Sequence, residues 1–298
     1  LIIWTVAPTL SNVNLPLDTI EALAWGSNLS WGYSKHPPVS AFIVELVYSF
    51  FGNQDWAYYL LSQIFVVTAF IYVWKFSNLI FRKNIYSLCS VFLLEGIYFY
   101  NYTSPEFNVN ICQLPFWALV VYYSWRSINY QKISDLILLG LFMSIGFLSK
   151  YLFIYLILSV KIIFILNLID KKNFKIRLLI PGLIFIIFLT PHIFWLFNNE
   201  FATISYALNR TGIEDVSLKN HVYNPLMFLL KQTGILAPVA IMLFALSNLK
   251  GFNLKILKQD KYFLLFINLF PIILILITSL ISGAKIRTMW MTPFYLFL

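Results

Sequence analysis

Long apolar runs broken by short polar stretches set the pattern of the chain. Runs at 56–80, 85–102, 107–125, 135–150, 152–169, 177–197, 225–248 and 262–282 each predict a spanning helix, since about 20 mostly apolar residues cross a bilayer. They are apolar on all sides rather than along one stripe, which suits helices packed in lipid and on one another. The run 39–51, closed by Gly52 and Asn53, is too short to span and predicts an interfacial or re-entrant helix. Residues 1–7 read as the end of a span and 290–298 stop inside another, so the chain is expected to be cut at both ends. No tandem repeat and no Gly/Ser-rich linker divides it. The pattern therefore predicts an all-α membrane protein: one integral domain over 1–298, with a polar segment at 9–55 and a transmembrane bundle at 56–298.

Composition agrees, and charge adds sidedness. Of 298 residues 60% are hydrophobic and 11% charged, which leaves no room for a separate soluble domain. The net charge of +9 would suggest nucleic acid in a soluble protein; in a membrane protein it reads loop by loop, and no nucleic-acid partner is expected. One set of loops carries Arg82, Lys83, Arg126, Lys132, Lys171, Lys172, Lys175, Arg177, Lys250, Lys255, Lys258 and Lys261. The alternate set carries Lys35, Lys150, Arg210, Lys219, Lys285 and Arg287. The richer set is assigned to the cytoplasm, and the 9–55 segment falls outside it. Cys89 and Cys112 sit in apolar runs and read as small core residues.

The stretch 15–38, LPLDTIEALAWGSNLSWGYSKHPP, holds the densest chemistry. Asp18 and Glu21 are three apart and project from one face if the segment coils. They make a candidate acid/base or cation site, and equally a helix-capping box. Pro37 and Pro38 bias His36 toward extended backbone and hold Lys35 and His36 on a stiff corner. Trp25, Trp31 and Tyr33 are candidate sugar-stacking platforms. On the same side, Glu106, Asn108 and Asn110 either bind sugar hydroxyls or a cation, or form a wet turn after Pro105. Lys150, Lys285 and Arg287 are cations at headgroup depth, where anion binding competes with snorkelling. His192 is a candidate metal or phosphate contact or a satisfied interfacial histidine. There is no G-x-x-x-x-G-K-[ST], H-E-x-x-H, C-x-x-C or G-x-S-x-G.

The string Trp25, Gly26, Leu29, Gly32, Tyr33, Lys35, His36, Pro37, Pro38 resembles the first outer loop of bacterial transferases related to the dolichyl-phosphate-mannose protein mannosyltransferases, which include the lipid A aminoarabinose transferases. The acidic motif of that loop falls on Asp18 and Glu21, here as D-x-x-E, and its basic-Pro-Pro motif falls on His36-Pro37-Pro38. Looser likenesses follow at Phe107–Asn110 with Leu114–Trp117, at Ser149–Tyr151, at Pro191-His192 with Trp195 and Asn198, and from Gly283 to Pro293. The resemblance implies a multi-span GT-C-type helical bundle that transfers a sugar from a polyprenyl-phosphate donor to an outer-face acceptor, such as lipid A, another envelope glycan or a protein, by an inverting single displacement. It implies an inner-membrane location with the site facing the periplasm or cell exterior. Asp18 is the expected general base, with Glu21 binding a cation or positioning the donor. Lys35, His36, Lys150, Lys285 and Arg287 are the expected phosphate contacts, and Tyr33 and Asn108 the expected sugar contacts. A divalent metal ion is the one candidate cofactor, with Glu21 and His192 as its candidate ligands. The rival reading is a transporter or flippase of a lipid-linked sugar, which would place ionisable groups near the midplane. The mid-span charges, Glu95, Lys161 and Lys231, are few.

Overall fold

A computed structural model describes residues 1–171, 175–212, 216–247 and 256–298. Lys172, Lys250 and Lys255 of the cation count therefore lie outside the described residues. Among those described, the regular structure is all helical. It runs α1 (Ile2–Ser11), α2 (Leu17–Gly26), α3 (Val39–Phe51), α4 (Asp55–Phe81), α5 (Asn84–Leu94) and α6 (Val109–Tyr130). Then come α7 (Ile133–Ser149), α8 (Ile154–Lys171), α9 (Ile180–Asn198), α10 (Ala202–Thr211), α11 (Asn220–Ser247) and α12 (Lys258–Ser282).

Five stretches are long and apolar enough to cross a membrane: Asp55–Phe81, Tyr151–Ile169, Ile176–Asn198, Asn220–Ser247 and Lys258–Ser282. The remaining expected spans differ from the pattern for separate reasons. Helix α6, at 22 residues, is long enough to cross, but it is the central helix. Asn110, Gln113, Ser124 and Ser127 are buried within it, wrapped by protein instead of lipid. Helix α7 has 17 residues and packs between α6 and α9. The run 85–102 does not span at all. Helix α5 stops at Leu94, a 3₁₀ turn takes Tyr98–Tyr100, and the Asn101 amide donates to Glu95 O at 2.8 Å. Gly96 marks the break, because a Cβ there would sit 2.9 Å from Met242 Sδ and 3.0 Å from Val239 Cγ2 of α11. Glu95 is thus an exposed residue at the end of α5, not a charge in the middle of a spanning helix.

The run 39–51 forms the short helix α3, as its pattern indicates. The stretch 15–38 is more ordered than a polar loop. Pro16 starts α2, and the small Thr19, Ala22 and Gly26 bury on one face, so that α2 folds back closely on α3. A Cβ on Gly26 would lie 3.2 Å from Ala41 O. Leu17 and Ile20 point outward and are exposed. The N-cap residue of α2 is Pro16, which has no side-chain acceptor to offer, so the capping-box alternative for Asp18 and Glu21 is not the one the chain adopts. The last residues are also not a spanning α-helix. Thr288–Tyr295 is a 3₁₀ segment sunk in the bundle, where Phe294 packs on Trp117 at 4.7 Å and Tyr100 Oη donates to Thr292 O at 2.6 Å.

The cations separate by end. Lys175 and Arg177 both donate to Gln131 Oε1 at 2.9 Å, and Gln259 donates to Asn129 at 3.4 Å. At the opposite end Lys285 N donates to Thr211 O at 3.0 Å, and Asn224 reaches Gly283 O at 2.7 Å.

Candidate active site

Two tethers fix the start of α2 at this end. Thr19 Oγ1 donates to Phe107 O at 3.0 Å, and Glu106 takes a hydrogen bond from the Asp18 backbone, meeting one of the orphan N–H groups of the first turn. The 104–107 turn is itself held to α4, since Ser62 Oγ donates to Ser104 O at 2.5 Å and Gln63 Nε2 to Ser104 Oγ at 3.0 Å. Asn108 caps α6, accepting from Asn110 N at 2.9 Å and Ile111 N at 3.2 Å. The corner 32–38 is pinned from α9 and α10. Gly32 lies against Trp195, where a Cβ would come within 2.3 Å of the indole, and Thr203 Oγ1 donates to Tyr33 O at 2.6 Å.

These ties surround a cavity of about 370 Å³ that gathers residues from six parts of the chain. Asp18 and Glu21 enter from α2, Lys35 and His36 from the corner, Asn110 and Lys150 from α6 and the end of α7, Tyr206 and Arg210 from α10, and Arg287 and Trp290 from the final segment. The i, i+3 spacing of Asp18 and Glu21 does put both carboxylates on the cavity wall. Lys35 is ion-paired with Glu21, and its ammonium lies 5.9 Å from the Tyr206 ring. Lys150 is buried at 5% exposure, donates to Asn110 Oδ1 and lies 5.2 Å from the Trp290 ring. The Asp18 carboxylate and the Arg287 guanidinium make no hydrogen bond or ion pair among the described residues.

The electrostatics follow from that burial. The Asp18 carboxyl is raised above the ordinary range by burial first and by Glu21 second, against the pull of Lys150, Lys35 and Arg210. His36 is pushed down to about 3 by burial, with Lys150 and Lys35 adding to it. It is a neutral imidazole at physiological pH, so any phosphate contact it makes is an N–H hydrogen bond and not an ion pair. The Glu21 hydrogen bond raises Lys35 and keeps it charged.

Four expected residues are not brought to the cavity. Tyr33 is buried, stacked on Trp25 at 5.4 Å, with Oη accepting from Ser30 N at 3.1 Å, so its ring has no free face for a sugar. Asn108 is occupied as the α6 cap, and its neighbour Asn110 lines the cavity instead. Lys285 is exposed and outside the lining. His192 is fully buried, with Nδ1 against Trp31 O at 2.5 Å and Nε2 against Tyr151 Oη at 2.7 Å. With both nitrogens engaged it has none to give a metal. Glu21 is held by Lys35, and among the described residues no three His, Cys, Asp or Glu side chains stand together as a cage. The residues present do not fit a divalent ion held by Glu21 and His192.

Tyr206 is a lining group the sequence does not single out, and Arg210 enters the sequence reading only through the cation count. Tyr206 and Arg210 are spaced i, i+4 on α10, which carries its signal only in that spacing. A larger crevice of about 790 Å³ opens at the other end between α8 and α12. It is mostly apolar, and its one acid, Asp260, accepts the Trp125 indole N–H at 2.8 Å. Of these two cavities, the smaller one brings together an acid and a guanidinium that are both unpaired among the described residues.

Comparison with known proteins agrees with the family resemblance. The family model described as dolichyl-phosphate-mannose-protein mannosyltransferase matches residues 35–195, more than half of the chain. The match takes in Lys35, His36, Asn110, Lys150 and His192, while Asp18, Arg210 and Arg287 lie outside it. No curated protein and no solved structure matches the chain.

Proposed function

The chain belongs to the dolichyl-phosphate-mannose-protein mannosyltransferase family of membrane glycosyltransferases, whose donor is a lipid-phosphate-linked sugar, and from that premise we propose that its sugar transfer takes place in the cavity beside Asp18. Asp18 is the general base. It takes the acceptor hydroxyl proton as that oxygen attacks the anomeric carbon, and the phosphate departs from the opposite face, so that the configuration inverts. Arg287, Lys35 and Lys150 receive the phosphate as it gains charge, and the neutral His36 adds an N–H donor. Glu21 keeps Lys35 protonated and aimed. Tyr206 and Trp290, in place of Tyr33, offer the aromatic faces for the sugar.

One observation carries this reading: an acid and a guanidinium, neither of them paired among the described residues, line the same cavity at one end of the bundle. That end bears the smaller cation set, which supports an outer-face site in the inner membrane and an acceptor reached from the periplasm or cell exterior, such as lipid A, another envelope glycan or a protein. The test is the anomeric configuration of the product. Purified protein given a polyprenyl-phosphate sugar of known anomer and a panel of these acceptors should form the opposite anomer. Retention of configuration would contradict the single displacement and the base role of Asp18.

A further inference from the structure

Transfer changes the charge in the cavity. The donor is a phosphodiester with one negative charge, and the product polyprenyl phosphate is a monoester whose charge approaches two at neutral pH. At the same time the acceptor hydroxyl releases a proton. Asp18 takes that proton first, but a protonated Asp18 must pass it on before it can act again.

Lys150 is placed to receive it. Among the described residues no other lysine is buried, and Lys150 has no carboxylate within ion-pair distance. Its one hydrogen bond is to Asn110 Oδ1, and the Trp290 ring covers it from the side. A buried ammonium without a carboxylate partner is costly, so this geometry favours the free amine. The charged and titratable groups that share the cavity are Asp18 and Glu21 from α2, Lys35 and His36 from the corner, Tyr151 next to Lys150 itself, Tyr206 and Arg210 from α10, and Arg287. None of the other basic groups can exchange a proton near neutrality. Lys35 is held protonated by Glu21, His36 remains neutral, and the guanidinium groups of Arg210 and Arg287 do not release theirs.

Resting on the proposed reaction at Asp18, we propose that Lys150 is the final acceptor of the proton released in transfer, entering the cycle as an amine and ending it as an ammonium beside the new phosphate. The acceptor oxygen bonds to the anomeric carbon. The bond from that carbon to the phosphate oxygen breaks, and its electron pair stays with the phosphate. The hydroxyl proton moves to the Asp18 carboxylate and then to the Lys150 nitrogen. The added negative charge on the leaving group is thus met by a positive charge that was absent before reaction. Burial, opposed by Asp18 and reinforced by Arg287, brings the Lys150 ammonium down to about 7, in keeping with this role.

The test is proton uptake on product binding. A short-chain polyprenyl phosphate is titrated into the detergent-solubilised protein at pH 8, in two buffers of different ionisation enthalpy. Wild type should take up close to one proton per phosphate bound, and Lys150→Met should lose most of that uptake. Binding to wild type without uptake, or equal uptake in Lys150→Met, overturns the inference. If Lys150→Met does not fold, Lys150→Arg serves, since a fixed cation should still bind phosphate without uptake yet turn over at least tenfold more slowly. A Lys150→Arg variant with wild-type turnover would make Lys150 a static phosphate contact and overturn the inference. Failure of this idea leaves the Asp18 reading intact as long as wild type transfers sugar and Asp18→Asn does not. Transfer by Asp18→Asn would remove the underlying reading instead.

Discussion

Arg287 sits half-buried at the start of the final 3₁₀ segment with a guanidinium that nothing described here neutralises. A fork of donors left open in a cavity suits a phosphate that arrives with the substrate. Arg287→Ala should weaken binding of a polyprenyl-phosphate sugar by about ten- to a hundredfold, the range expected for a charge-assisted contact. Arg287→Lys should recover only part, because the planar fork is lost. Equal donor affinity in wild type and Arg287→Ala, measured by competition, would make the residue structural. At this scale the sequence was informative about residue type and side but not about orientation. Asp18, Glu21, Lys35, His36, Lys150 and Arg287 all line the cavity. Tyr33 and Asn108, equally plausible as polar or aromatic residues in outer segments, turn inward to stack on Trp25 and to cap α6. Spacing cannot tell a ring that faces a ligand from one that faces a neighbour.

Among the elements, α2 shows what periodicity alone leaves out. Its ten residues carry acids and a tryptophan among apolar positions, so the stretch reads as a loop. Its helicity is stabilised by burial of Thr19, Ala22 and Gly26 and by the 106–107 turn that holds its start, both of which are tertiary facts. The break in 85–102 was hidden for a related reason: Glu95-Gly96 interrupts an otherwise apolar run because α11 crosses there, and the crossing is invisible in one dimension. The close fit of Gly32 on Trp195 gives a measurable consequence. The indole also lies parallel to His192, with centroids 6.1 Å apart, so it cannot swing away freely. Gly32→Ala should therefore lower stability by about 1–3 kcal/mol through overpacking, read as a drop in melting temperature of the purified protein. An unchanged melting temperature would mean that the corner is not pinned by α9.

For the whole molecule, the apolar runs announced a helical membrane bundle, and most of the long runs became long helices at close to their expected boundaries. What the runs did not announce is that α6 is interior, so that Gln113, Ser124 and Ser127 are enclosed by protein and Asn110 lines the cavity. The described members of the two cation sets fall at opposite ends, which ties the location of the cavity to topology. A cysteine reporter at Lys175 should label from the cytoplasm and one at Lys219 from outside; the reverse pattern would put the cavity on the wrong face for an outer acceptor. Family membership favours an enzyme over a flippase, and the central remaining claim is that Asp18 performs the proton abstraction. The most direct measurement gives wild type and Asp18→Asn the same labelled polyprenyl-phosphate sugar and follows both binding and transfer. The account predicts that Asp18→Asn folds, binds donor within a few-fold of wild type and loses transfer by about 10²–10⁴-fold, the scale of a deleted general base. Transfer by Asp18→Asn at the wild-type rate would contradict it.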